Sequence, residues 1–166
     1  MREIKAKDLS VEIVDLWMNR WFLLTSGTTE SCNMMTVAWG SLGYMWNKPF
    51  AQVVVRPQRF TRGFMDQSDS FTLCAFPKSY RKDLNILGTL SGRDGDKLAK
   101  TRLTLKASKR VAAPSYQEAD LILECRKIYF QDMDPEGFVD PAIKKNYPGK
   151  DYHRIYFGEI LSVFIA

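Results

Sequence analysis

The helical patterns in this chain are short, and that narrows its folds more than any other feature. The clearest covers residues 79–88, where Tyr80, Leu84 and Leu87 fall on one face. Stretches at 59–67 and 96–101 suit shorter helices still, and residues 91–95 read as a turn. A parallel strand pair needs a crossover of about a dozen residues or more, usually a helix. Helices this short favour an antiparallel sheet, with a parallel α/β sheet as the weaker alternative. Strand patterns are plentiful. Residues 21–25 read as a first strand, ended by Ser26-Gly27, and residues 33–39 as a second, with Thr36, Val37 and Trp39 favouring extension. Residues 50–55 are apolar enough to predict burial on both faces, and Pro57 follows. Residues 71–76 stop at Pro77, and two long strands cover 121–130 and 154–165. Residues 8–18 suit a short amphipathic helix or an extended arm, and 131–149 predict a polar excursion. No linker or repeat divides the chain. The expectation is one domain, 1–166, mainly β: an antiparallel barrel with short peripheral helices.

Composition removes several functions. An apolar fraction of 45% argues against disorder. The net charge of +5 is spread along the chain, which argues against nucleic acid as the partner and leaves a phosphate-bearing small ligand open. No apolar run approaches the roughly 20 residues of a membrane span. The start, Met1-Arg2-Glu3-Ile4-Lys5, has no apolar leader core, and the three cysteines, Cys32, Cys74 and Cys125, form no CxxC pair. Both point to the cytoplasm, with Cys74 as inert core. One histidine, His153, rules out a multi-histidine metal centre, so no metal is expected. Neither GxSxG, GxGxxG nor GxxxxGK[ST] occurs.

Three segments carry candidate chemistry. Arg56-Pro57-Gln58-Arg59-Phe60-Thr61 sets two guanidinium groups and a hydroxyl around a fixed turn ahead of a short helix, which suits a phosphate. It suits a surface turn with two solvated arginines equally. Asn33-Met34-Met35-Thr36, with Trp39 beyond, would offer strand-edge N–H and C=O groups and polarizable side chains to a planar ring, or form an ordinary core strand. Ser91-Gly92-Arg93, with Lys97, makes a tight basic turn, where Gly92 permits close backbone approach. Phe76 lies where a fourth strand ends and is a further pocket candidate. His153, beside Tyr152, reads as a surface residue and a weak substrate-side candidate.

Taken in order, N-x-M-T-x-x-W, R-P-x-R-x-T and S-G-x-x-x-D-K resemble the flavin reductase-like family, over roughly residues 10–165. The resemblance implies a Greek-key split β-barrel that binds FMN and forms a homodimer with the cofactor at the subunit interface. It implies that Arg56, Pro57, Arg59, Phe60 and Thr61 hold the phosphate. The 91–97 turn would complete the pocket from the same or the partner subunit. The activity implied is NAD(P)H:flavin oxidoreduction, with hydride passing from NADH or NADPH to the flavin. Two alternatives stay open: a flavoredoxin-type electron carrier acting on a protein acceptor, and a non-catalytic ligand-binding module on the same barrel.

Overall fold

The computed structural model describes residues 1–166. Strand β1 (Arg2–Ile4) is followed by a short helix α1 (Ile13–Asp15), which runs into a π-helical turn over Leu16–Arg20. Strands β2 (Phe22–Gly27), β3 (Cys32–Val37), β4 (Gly40–Met45) and β5 (Lys48–Val55) come next, then helix α2 (Thr61–Gln67). Strand β6 (Ser70–Ala75) precedes helix α3 (Arg81–Thr89). A two-stranded ribbon, β7 (Leu105–Lys106) with β8 (Ser115–Tyr116), leads to the long strands β9 (Leu121–Asp132) and β10 (Arg154–Ile165).

The sheet runs β3-β2-β6-β9-β10-β5-β4, with β1 added beside β10, and every pair is antiparallel. Its connectivity forces curvature. β3 and β4 lie at opposite ends of that path, yet only Ala38 and Trp39 separate them. Three residue steps reach about 11 Å at most, whereas a flat path of this many strands would span about 29 Å. The sheet therefore curls until its two edges approach at Ala38-Trp39. β3 and β4 do not pair, so the barrel stays split, and the outer edge of β3 keeps free backbone groups.

Two apolar clusters flank the curled sheet. Phe22, Leu24, Met35, Val37, Val53, Phe71, Leu73, Leu123 and Tyr156 fill one side. Leu23, Met34, Cys74, Phe76, Leu84, Leu87, Tyr116 and Ile122 form the other, beneath α3 and the ribbon. Successive strand residues point to opposite faces, so β2 and β6 are buried throughout. This is why neighbouring Met34 and Met35 enter different clusters.

Several boundaries depart from expectation. Residues 33–39 divide at Ala38-Trp39, and the chain resumes as β4, a strand the sequence pattern did not predict. β4 carries two glycines, and Gly40 is required by close packing: a Cβ there would lie 2.4 Å from both the Trp17 ring and the Gln52 carbonyl oxygen. In β5 full burial on both faces holds only for Val53 to Val55, since Gln52 and Phe50 face partly outward. β9 continues to Asp132, and the polar excursion after it folds into 3-10 turns at Pro135–Gly137 and Pro141–Asn146.

Candidate functional site

The three sequence segments converge on one cavity of about 200 Å³. Asn33 enters from β3, Arg59, Phe60 and Thr61 from the turn before α2, and Ser91, Gly92, Arg93 and Lys97 from the turn after α3. Close contacts hold the three pieces together. The Asn33 side-chain amide donates to the Thr61 hydroxyl at 2.7 Å, and that hydroxyl donates to the Met34 carbonyl at 3.3 Å. A Cβ on Gly92 would stand 2.3 Å from the Asn33 side-chain oxygen and 2.9 Å from Phe60. Only glycine lets the basic turn lie this close to β3.

The charge in this cavity is of one sign. Lys97 is only 5% exposed. Its ammonium donates to the Leu87 and Leu90 carbonyls at 3.0 and 3.1 Å, at the C-terminal end of α3. Burial, and then the charge of Arg59, push its pKa down to about 8. The Arg59 guanidinium donates to the Gly88 carbonyl at 2.8 Å, and burial lowers its pKa as well. Arg93 donates to the Gln58 carbonyl at 3.0 Å and lies over the Phe60 ring at 5.0 Å. No carboxylate lines the cavity, and none of the three cations takes part in an ion pair. Lys97 is buried and Arg59 half-buried, and cations taken out of water without a counter-charge are costly, a cost that neutral carbonyl dipoles offset only in part. A phosphate dianion would complete the set. The Ser91 hydroxyl accepts from the Arg93 backbone N–H at 3.2 Å and keeps its own proton to give.

A second groove, of about 210 Å³, lies toward the other end of β3. Met35, Thr36 and Trp39 line it together with Val54, Arg56 and His153. His153 is buried rather than a surface residue. Its Nδ1 shares a hydrogen bond with the Tyr147 hydroxyl at 2.8 Å, and its ring lies 5.4 Å from that of Trp39. Burial, followed by the charge of Arg56, lowers its pKa to about 4, so the imidazole is neutral near pH 7.

The structure sets several of the expected residues apart from the basic cavity. Arg56 and Arg59 leave their turn in different directions. Arg56 is held by Asp151 and by the Asn146 carbonyl at 2.9 Å, so it faces the second groove and not the basic cavity. Thr61 lines the cavity, but its hydroxyl both accepts and donates within the protein and serves to fasten the turn to β3. Phe76 is buried in the cluster beneath α3, in contact with Tyr116 and Tyr80, and lines neither space. Met34 is likewise packed in that cluster, leaving only its backbone available, and Pro57 lines neither space. Thr36 donates its hydroxyl to the Leu84 carbonyl at 2.5 Å, which ties β3 to α3. The sequence reading missed Val54, Tyr147 and Asp151. A signal existed for the last two in the aromatic and polar cluster Tyr147 to His153. Val54 has no signal beyond its place in an apolar strand.

No family model matches the chain. An uncharacterized protein of Archaeoglobus fulgidus is 30% identical over 148 residues, which cover 89% of this chain and 73% of that protein. Flavoredoxin of Desulfovibrio vulgaris (Miyazaki F) superposes with a TM-score of 0.69 at 20% identity, over 98% of this chain and 77% of its own. An FMN-binding protein of Thermus thermophilus, with bound p-hydroxybenzaldehyde, gives 0.69 at 18%, over 99% and 82%. An NADH:FAD oxidoreductase of Streptomyces globisporus, in complex with NAD and FAD fragments, gives 0.67 at 14%, over 88% and 74%. At these identities the superpositions establish the fold.

Proposed function

The chain belongs to one family with the Archaeoglobus fulgidus protein and has the fold of the flavin reductase-like, FMN-binding split-barrel proteins, and from that premise we propose that it is an FMN-dependent oxidoreductase. One observation carries the reading: buried Lys97 and half-buried Arg59 lie beside each other in a cavity that supplies no carboxylate. That arrangement fits the phosphate of FMN. Arg59 and Lys97 neutralise it, and the Ser91 hydroxyl and Arg93 add donors at the rim. The free edge of β3, running from Asn33 toward Trp39, presents backbone N–H and C=O groups to the polar edge of the flavin ring. Met35 and Trp39 supply apolar surface for the ring in the second groove.

When bound, the flavin supplies two-electron chemistry that no side chain offers, taking a hydride from a nicotinamide and passing the electrons on. The protein positions the ring, withholds water from one face and sets the surrounding charge. Neutral His153 adds no positive charge beside the groove, whereas Arg56 adds one that Asp151 balances. NADH or NADPH is the proposed reductant, and the oxidoreductase of similar fold with bound NAD fragments supports that choice. A flavoredoxin-type role with a protein acceptor is the second reading, favoured by the exposed aromatic side chains Tyr44, Trp46 and Phe130.

Calorimetric titration of the flavin-free protein with FMN and riboflavin tests the proposal. One FMN per chain should bind, and riboflavin should bind far more weakly. Equal affinity for both ligands would remove the phosphate role of the basic cavity.

A further inference from the structure

Only one side chain lining the Trp39 groove carries a charge. It is Arg56, since His153 is neutral near pH 7. The Arg56 side chain is 26% exposed, and its counter-ion Asp151, at 20%, is not one of the groove's walls. The cation thus fronts the groove and the anion stands away from it. Arg56 is also firmly placed. Its Nη1 donates to Asp151, its Nη2 donates to the Asn146 carbonyl at 2.9 Å, and the guanidinium lies over the Tyr147 ring at 5.0 Å. The carboxylate is held in turn, because the Gln58 side-chain amide donates to its Oδ2 at 2.6 Å.

Two rings beside the groove register the two charges unequally. At His153 burial lowers the pKa most, the guanidinium of Arg56 lowers it next, and Asp151 opposes by less. At the Tyr147 hydroxyl burial raises the pKa, and the same two charges follow in the same order. The field at this wall of the groove is therefore net positive, with Asp151 cancelling only part of it.

We propose that the Arg56–Asp151 pair sets the redox potential of the flavin. Arg56 turns positive charge toward the ring. Asp151 is a positioning residue that holds the guanidinium at the groove wall and trims its field. The inference rests on the flavin reading, which puts the ring in this groove. Hydride brings two electrons and one proton, so its acceptance adds one negative charge to the ring. A fixed positive charge alongside stabilises the reduced form over the oxidised form, and the more so where water is excluded. Neither residue lines the phosphate cavity, so the pair acts on the ring and not on the phosphate.

The signs of the two charges provide the test. Arg56→Met and Asp151→Asn break the same ion pair, so a merely structural role moves the potential the same way in both. An electrostatic role moves it in opposite ways. Spectroscopic redox titration of the FMN-loaded protein should show the midpoint potential rising in Asp151→Asn and falling in Arg56→Met. Each shift should be about tenfold in the ratio of reduced to oxidised FMN affinity, or ~30 mV for a two-electron couple. Arg56→Lys keeps the charge and should hold the potential near that of the wild type. Affinity for oxidised FMN should change little in all three, in contrast to Arg59→Ala. Asp151→Asn keeps the shape of the side chain and an acceptor for Gln58, so it reads the sign even where Arg56→Met fails to fold. His153 is the only histidine in the chain, so its imidazole NMR signals report the same field in flavin-free protein. Its pKa should fall in Asp151→Asn and rise in Arg56→Met. Potentials that shift in one direction in both variants, or that stay unchanged in Asp151→Asn, would overturn the inference and leave the flavin reading standing. A wild-type chain that takes up no FMN would remove the flavin reading and the inference with it.

Discussion

Burial and the neighbouring Arg59 hold Lys97 near a pKa of about 8, while a phosphate monoester loses its second proton near pH ~6. Between those values both partners carry full charge, so FMN affinity should peak there. It should fall as pH rises through about 8 and the ammonium is lost. Riboflavin affinity should stay flat across that range, and Lys97→Met should remove the alkaline fall for FMN. The stability of the unliganded protein runs the other way. The unfolded lysine keeps its proton to about 10.4, so between about 8 and 10.4 the unfolded chain binds more protons and stability rises with pH. Thermal melts and FMN titrations over the same pH series therefore give opposite slopes if Lys97 is the group. Arg59→Ala removes one charge-assisted bond to the phosphate, of roughly 1.5–3 kcal/mol, and should weaken FMN about ten- to a hundredfold with little change for riboflavin. Equal weakening of both ligands would show that Arg59 supports the barrel and not the phosphate. Arg59→Lys should rescue only in part, because an ammonium lacks the planar fork.

At the level of elements, the segment between β9 and β10 shows what sequence patterns reveal and what they hide. β10 is legible from Arg154 to Ile165 because it is a long run of aromatic and aliphatic residues without proline, as a strand paired on both sides with β9 and β5 requires. β4 is hidden because two of its six residues are glycines, which carry no side-chain pattern. The turn before α2 is legible as a cluster of arginines, but the split between Arg56 and Arg59 is not. It depends on Asp151, some 95 positions away in the chain, which pulls Arg56 to the other side. The same segment fixes His153, whose partner Tyr147 also carries the Arg56 guanidinium over its ring at 5.0 Å. This arrangement has a pH signature. The folded imidazole resists protonation down to about 4, and the unfolded one protonates near 6.5. Its contribution to stability is present in full above 6.5 and is lost as pH falls from 6.5 toward 4, because the unfolded chain binds the extra proton. Melting temperature should drop across that interval, and His153→Phe should flatten the drop. An unchanged slope in the variant would assign the acid sensitivity to other groups.

For the whole molecule, the question is what covers the aromatic surface at the tip of the β4–β5 hairpin. Val53 and Val55 of β5 are consumed within the barrel and supply no surface for a second chain. The spare surface is aromatic and lies nearby. Trp46 is 53% exposed and meets the Tyr129 ring at 5.8 Å and the Phe157 ring at 6.0 Å, while Tyr44 is 70% exposed. The turn that lifts Trp46 outward has positive φ at both central residues, 54° at Trp46 and 57° at Asn47. Asparagine accepts that conformation readily and tryptophan does not. A bulky ring held at such a position, and left half in water, is better explained by a partner than by the packing of one chain. We therefore expect a homodimer built on this face, with Trp46 as its central anchor. Light scattering at micromolar concentration should give twice the chain mass. Truncating a tryptophan anchor costs about 2 kcal/mol or more, so Trp46→Ala should weaken the dimer roughly thirtyfold or beyond. The monomer that results should keep the secondary structure of the wild type, since Trp46 lies outside both apolar clusters. A wild-type monomer with FMN bound would show that the flavin site closes without a second chain. The exposed aromatic face would then remain for a protein electron acceptor.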